Sequence, residues 1–194
     1  MIKNIAVFCG SSEGFNEIYR ETAWQTGEYL AEKNIGIIYG GGKIGLMGAL
    51  ADGVIEKAGT ITGVIPAFLQ RREIVHEGIS DLVIVETMHE RKLKMYELCD
   101  AVITLPGGLG TMEEMFEILT WAQLGLHQKP MGLLNINGYY DSLKALLNTM
   151  VQEGFLNESY GNMLLVSESL EELLTMMETY QAPEIPTILN TEMT

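Results

Sequence analysis

Short continuous apolar runs recur along the chain at residues 5–9, 35–39, 61–65, 82–85, 101–105, 131–134 and 163–166. Most are closed by glycine or proline, as at Gly10, Gly40, Pro66 and Pro106. Runs of this length with such stops predict buried strands. Between them the apolar period lengthens to that of a helix. Asn16 stands as a cap before Tyr19, Ala23, Trp24, Tyr29 and Leu30, and further helical segments are predicted at 46–58, 90–98, 111–124, 141–151 and 170–180. Residues 67–80 are polar and aperiodic, so an irregular surface loop is expected there. Residues 181–194 carry two prolines and no apolar period, and read as a frayed tail.

Strands that alternate with helices and are apolar throughout imply a parallel sheet buried on both faces. The predicted fold is α/β: a single Rossmann-like doubly wound parallel sheet, helices on both faces, with right-handed crossovers. One domain over residues 1–180 accounts for the pattern. In such a sheet ligands bind beyond the carboxyl ends of the strands. The glycine-rich segments 9–12, 40–42 and 106–110 each follow a strand, so all three are expected to converge on that edge.

Composition narrows the function. Hydrophobic residues make up 47% and charged residues 20%, which fits a globular rather than a disordered chain. Two cysteines, Cys9 and Cys99, cannot make a disulfide framework and read as buried inert thiols, so a cytoplasmic location is expected. No apolar run reaches the ~20 residues of a membrane span, and the N-terminus reads as a first strand rather than a signal peptide. Net charge is −14, and residues 96–194 hold 2 of the 12 Lys and Arg against 14 of the 26 acids. Without a basic stripe, nucleic acid is not an expected partner. Arg91, Lys92 and Lys94 then form the one tight cationic cluster for a small anion.

The sharpest motif is Pro106-Gly107-Gly108-Leu109-Gly110-Thr111, a glycine-rich turn from strand into helix. Free N–H groups and the positive end of the helix dipole suit a phosphate there, with Thr111 able to cap the helix and donate its hydroxyl. The spacing is neither GxGxxG nor GxxxxGK[ST], which argues against a triphosphate-hydrolysing loop. Glu113 and Glu114 follow in the first turn. Acids there stabilise a helix by ~0.3–1 kcal/mol, yet a carboxylate beside a phosphate is unfavourable unless it acts on the ligand. About 100° separates successive residues, so one of the two should face the ligand. Met88-His89-Glu90-Arg91-Lys92 opens the preceding helix at the same edge, and exposed His89 carries no catalytic expectation. Gly45 and Gly48, inside a helical segment, are costly unless the sheet, another subunit or a ligand approaches closely.

VFCGSS, GGGKIGLMG, MHERK, PGGLGTMEE and TWAQLG, in that order, resemble the Lonely Guy family of cytokinin-activating nucleotide phosphoribohydrolases, whose members often bear the older label lysine decarboxylase. The resemblance runs from about residue 5 to about residue 180. It implies hydrolysis of the N-glycosidic bond of AMP or an N6-substituted nucleoside 5′-monophosphate, giving free base and ribose 5-phosphate. It implies Arg91 and Glu114 as the catalytic pair. Contacts to the nucleotide are implied for Glu73, Met88, Arg91, Lys92, Gly107, Gly108, Leu109, Gly110, Thr111, Met112 and Glu113. A homodimer is implied, with neither cofactor nor metal. Relatives often have Tyr where Leu109 stands, which puts the shape of the substrate pocket in question. The alternative from another class is a carrier or sensor that binds a nucleotide or cofactor without turnover. Decarboxylation of a basic amino acid would require a pyridoxal-binding lysine, and no lysine stands in such a setting.

Overall fold

The computed structural model describes residues 1–70 and 75–183. Along the chain run β1 (Asn4–Phe8), α1 (Glu17–Glu32), β2 (Gly36–Tyr39), α2 (Gly45–Glu56), β3 (Ile61–Pro66) and α3 (Ala67–Gln70). There follow β4 (Asp81–Val85), α4 (Met88–Leu98), β5 (Ala101–Thr104), α5 (Leu109–Gln123) and β6 (Met131–Leu134). After a 3-10 turn at Ile136–Gly138 come α6 (Asp141–Gln152), α7 (Glu158–Gly161), β7 (Leu164–Ser167) and α8 (Leu170–Glu178). The seven strands form one sheet in the order β4-β3-β2-β1-β5-β6-β7, and every pairing is parallel. The doubly wound expectation holds.

Period-two alternation divides the apolar residues into two cores. Ile5, Val7, Ile37 and Tyr39 face α1, α2 and α8, while Ala6, Phe8 and Ile38 face α4, α5 and α6. Cover is incomplete at one edge, against expectation. Strand β4 has a single neighbouring strand, and its Leu82 and Ile84 are exposed. The expected irregular loop at 67–80 also carries regular structure among its described residues. It contains α3, and Val75 bridges back to Gly42 while His76 N–H donates to the Gly41 carbonyl at 3.1 Å. Sequence reading missed these because a four-residue helix and a lone bridge leave no period to detect.

Strand order reverses direction at β1, which lies between β2 and β5. This is the point at which the turns after two strands diverge and open a crevice. Gly10 N–H donates to the Pro106 carbonyl at 3.0 Å, and Leu46 N–H at the start of α2 donates to the Gly10 carbonyl at 3.0 Å. Gly40 borders the same cavity as Ser11 and Gly108, so the three glycine-rich segments do converge. The close approach expected at Gly45 and Gly48 comes from the chain itself. Gly45 has φ +68° with the Ser11 backbone against it, and a Cβ on Gly48 would overlap the Lys43 carbonyl.

Candidate active site

Two helix starts build the site. Helix α5 begins at Leu109, two residues before the expected start, and Gly108 is its cap residue with no side-chain capping bond. Thr111 therefore sits buried inside the first turn rather than capping it. The N–H groups of Leu109, Gly110 and Thr111 have no intrahelical acceptor by the geometry of a first turn, and the helix dipole adds positive potential there. Helix α4 is closed off differently. Thr87 caps it by accepting from Glu90 N–H at 3.1 Å, and the Glu90 carboxylate accepts from Glu86 N–H at 2.8 Å. This cap satisfies the Glu90 N–H, and what α4 presents to the cavity is the side chains of Met88 and Arg91.

Between the two lies a cavity of about 310 Å³, lined among others by Cys9, Ser11, Met88, Arg91, Thr111 and Glu114. Gly108, Leu109 and Gly110 form one wall, with Leu109 91% exposed at its mouth. Arg91 is buried, its Nε donating to the Val64 carbonyl at 3.1 Å and its Nη2 to the Gly40 carbonyl at 3.3 Å. Nη1 stands 3.7 Å from Glu114 Oε1. That is close enough for charge attraction and too long for a hydrogen bond, so both groups keep capacity toward the cavity. Burial pushes the Glu114 carboxyl above the ordinary glutamate value; Arg91 pulls it down and Glu113 pushes it up again, with burial prevailing.

Of Glu113 and Glu114, then, Glu114 faces the cavity. Glu113 points away and pairs with Lys92 at 2.5 Å. Neither Lys92 nor Glu113 lines the cavity. Met112 packs against the core beneath α5, and Gly107 lies behind the loop, where its carbonyl accepts from the Tyr139 hydroxyl at 2.7 Å. Glu73 falls outside the described residues. His89 is exposed and off the cavity.

Sequence reading did not select several contributors. Tyr139 and Tyr140 stack edge to face at 4.8 Å, and the Tyr140 hydroxyl donates to the Leu105 carbonyl at 2.7 Å. The tyrosines thus hold the loop at two carbonyls from behind. A GYYD run after a turn is a faint signal, and nothing in it names the loop as partner. Met47, Met95 and Leu69 also line the cavity, and helical periodicity reads such residues as core. Cys9 and Cys99 are both buried free thiols, and burial pushes each above the usual thiol range, as an inert role requires. Among the described residues no cluster of His, Cys, Asp and Glu could hold a metal ion.

The sequence matches the protein-family model described as "Possible lysine decarboxylase" over residues 47–177. It is 43% identical over 178 residues to the cytokinin riboside 5′-monophosphate phosphoribohydrolase LOG2 of Arabidopsis thaliana, covering 92% of this chain and 84% of that one. With LOG7 of the same plant, which bears the same enzyme name, identity is 45% over 186 residues, covering 96% and 85%. Among solved structures, the molybdenum cofactor binding protein from Rippkaea orientalis superposes with a TM-score of 0.68 at 22% identity, covering 92% of this chain and 97% of that one. The Moco carrier protein from Chlamydomonas reinhardtii gives 0.69 at 16%, covering 92% and 96%. At such identities the likeness is one of fold.

Proposed function

The chain belongs to the LOG family of cytokinin riboside 5′-monophosphate phosphoribohydrolases, and from that premise we propose that Arg91 and Glu114 act as its catalytic pair on a nucleotide whose phosphate rests on the start of α5. The protein is a hydrolase of the N-glycosidic bond, releasing free base and ribose 5-phosphate. One observation carries the site assignment. A buried carboxylate and a buried guanidinium face the same cavity, one wall of which is an uncapped glycine-rich helix start.

Cleavage passes through a ribose with oxocarbenium character, and a carboxylate beside C1′ stabilises that charge. The Glu114 carboxylate also orients the water that adds to C1′ as the bond to the base nitrogen breaks. The water's hydroxyl stays on the sugar and its proton balances the base. A guanidinium is a poor proton donor, so the contribution of Arg91 is positive potential and hydrogen bonds to the departing base. The N–H groups of 109–111 bind the phosphate, and Met88 and Leu109 border the base.

A decarboxylase working through pyridoxal phosphate needs a lysine amine at the cofactor. Among the described residues no lysine lines the cavity, and Lys92 is buried between two carboxylates, so the residues present do not fit that chemistry. N6-prenylated nucleotides and AMP are the candidate substrates. A homodimer in the cytoplasm accompanies this reading, and exposed Leu82, Ile84 and Leu93 supply apolar surface for a partner. Among the described residues no helix is long and apolar enough to cross a membrane. Light scattering on purified protein tests the dimer.

The activity test incubates protein with AMP and with N6-isopentenyl AMP and follows released base by chromatography, beside Arg91→Ala and Glu114→Ala checked for folding by circular dichroism. Release that both variants lose supports the reading. Binding of nucleotide by wild type with no release of base would overturn it in favour of a carrier.

A further inference from the structure

Lys92, next in sequence to Arg91, carries its charge into the protein rather than toward the cavity. Its side chain is 5% exposed, and its ammonium donates to Glu113 Oε1 at 2.5 Å and to Glu117 Oε1 at 2.9 Å. Both acids lie on α5, one turn apart, and Glu114 sits between them in sequence. An ammonium this buried is costly unless paired, so the cluster is a fixed joint between α4 and α5 rather than a loose surface contact. Burial lowers the Lys92 ammonium, but its bonds to Glu113 and Glu117 outweigh burial and hold it above the ordinary lysine value, so it stays charged.

The two acids are not equivalent. The Glu113 side chain is 56% exposed, where solvent screens an ion pair to little value. The Glu117 side chain is 24% exposed, and its Oε2 is buried with no partner among the described residues. Of the two, Glu117 supplies the sheltered bond. The joint lies one residue from Arg91 on α4 and three from Glu114 on α5, so it sets the spacing across which these two groups stand 3.7 Å apart.

We propose that Glu117 is a positioning residue which, through the Lys92 ammonium, locks α5 to α4 and holds Glu114 in register with Arg91 across the cavity. This rests on the reading of Arg91 and Glu114 as the reacting pair. It also gives Lys92 an internal role in place of a contact to the nucleotide. The charged groups around Glu114 are Arg91 and Lys92 from α4, Glu113 and Glu117 from its own helix, and the Cys9 thiol from the end of β1. Among these Glu117 adds a negative charge that favours protonation of Glu114, so its removal moves the acid limb of activity to lower pH.

The experiment measures kcat, KM and pH profile of base release from N6-isopentenyl AMP by wild type, Glu117→Gln, Lys92→Met, Lys92→Arg and the double variant Lys92→Met with Glu117→Gln. Melting temperature is recorded for each. Misalignment of reacting groups by an ångström costs on the order of 100-fold, so Glu117→Gln should lower kcat by roughly 10- to 100-fold while KM changes little. The acid limb should move down. Lys92→Arg should keep most of the activity, and the double variant should be no worse than the poorer single one, since the two residues act through one contact. Wild-type kcat and an unmoved limb in Glu117→Gln would overturn the proposal, even if that variant melted earlier. So would a large rise in KM confined to the Lys92 variants. If wild type itself released no base, the parent reading would fail, and this one with it.

Discussion

Gly110 lies in the first turn of α5, and a Cβ built there meets no protein atom within 4 Å. Its φ is not among the positive ones, so alanine fits the backbone without strain. The folded protein alone therefore gives no reason for glycine at this position. Gly110→Ala removes chain entropy from the unfolded state, worth about 0.4–1 kcal/mol when the native backbone is compatible. In a chain of this length that should raise the melting temperature by roughly 1–4 °C. The nucleotide should respond in the opposite sense. The Cα–Cβ bond tilts toward the helix N-terminus, so the added methyl leans to the side from which an anion reaches the free N–H groups. Displacing a phosphate oxygen from hydrogen-bond distance at one N–H should weaken binding by about 1.4 kcal/mol, or roughly tenfold in KM for N6-isopentenyl AMP. Scanning fluorimetry without ligand and steady-state base release measure the two effects on one preparation. A variant that is more stable and has unchanged KM would refute the reasoning, because the glycine would then serve neither the fold nor the ligand. Gly40→Ala is the contrast, since its Cβ would overlap Arg91 Nη2 and stand 2.8 Å from the Met47 sulfur. There both stability and kcat should fall.

Three further outcomes are expected. Because the folded protein raises the pKa of Glu114, its stabilising effect is present below the unfolded value of about 4.3 and lost as pH rises through the folded value. Glu114→Gln should therefore release no base, melt above wild type near neutral pH, and lose that advantage on acidification, all readable from melting curves across pH. Tyr140→Phe leaves the Leu105 carbonyl without its buried donor at a cost of about 1–2 kcal/mol. Thermal denaturation should show a fall of roughly 2–8 °C. Leu109→Tyr, at the exposed mouth of the cavity, should alter the ratio of kcat/KM for AMP and N6-isopentenyl AMP while leaving the melting temperature nearly unchanged.

The sheet was legible because its strands are short apolar runs, most of them closed by glycine or proline, and the glycine-rich loop before α5 because it combines that punctuation with a helix start. Helix phase separated Glu114 from Glu113 in principle, though it could not say which faced inward. Other parts were hidden for physical reasons. Helices of one turn, α3 and α7, are too short to show a period. Helix α5 begins at Leu109 because backbone groups rather than a capping side chain define its start, and Thr111 misled by looking like a cap. The Lys92–Glu117 contact joins residues 25 positions apart whose pairing depends on how two helices sit. The tyrosines behind the loop likewise bond to carbonyls more than 30 residues away. Contacts of this kind appear when the chain is folded and leave no local spacing.

The grip on Arg91 bears on how this protein tolerates sequence drift. Its Nε and Nη2 are held by the carbonyl oxygens of Val64 and Gly40, and every amino acid carries the same carbonyl. Position 64 can therefore wander among residues that suit a buried strand without loosening the guanidinium. Position 40 cannot, because any side chain there collides with the arginine it helps to hold. A library randomised at both sites and selected for base release should return several strand-forming residues at 64 and converge on glycine at 40.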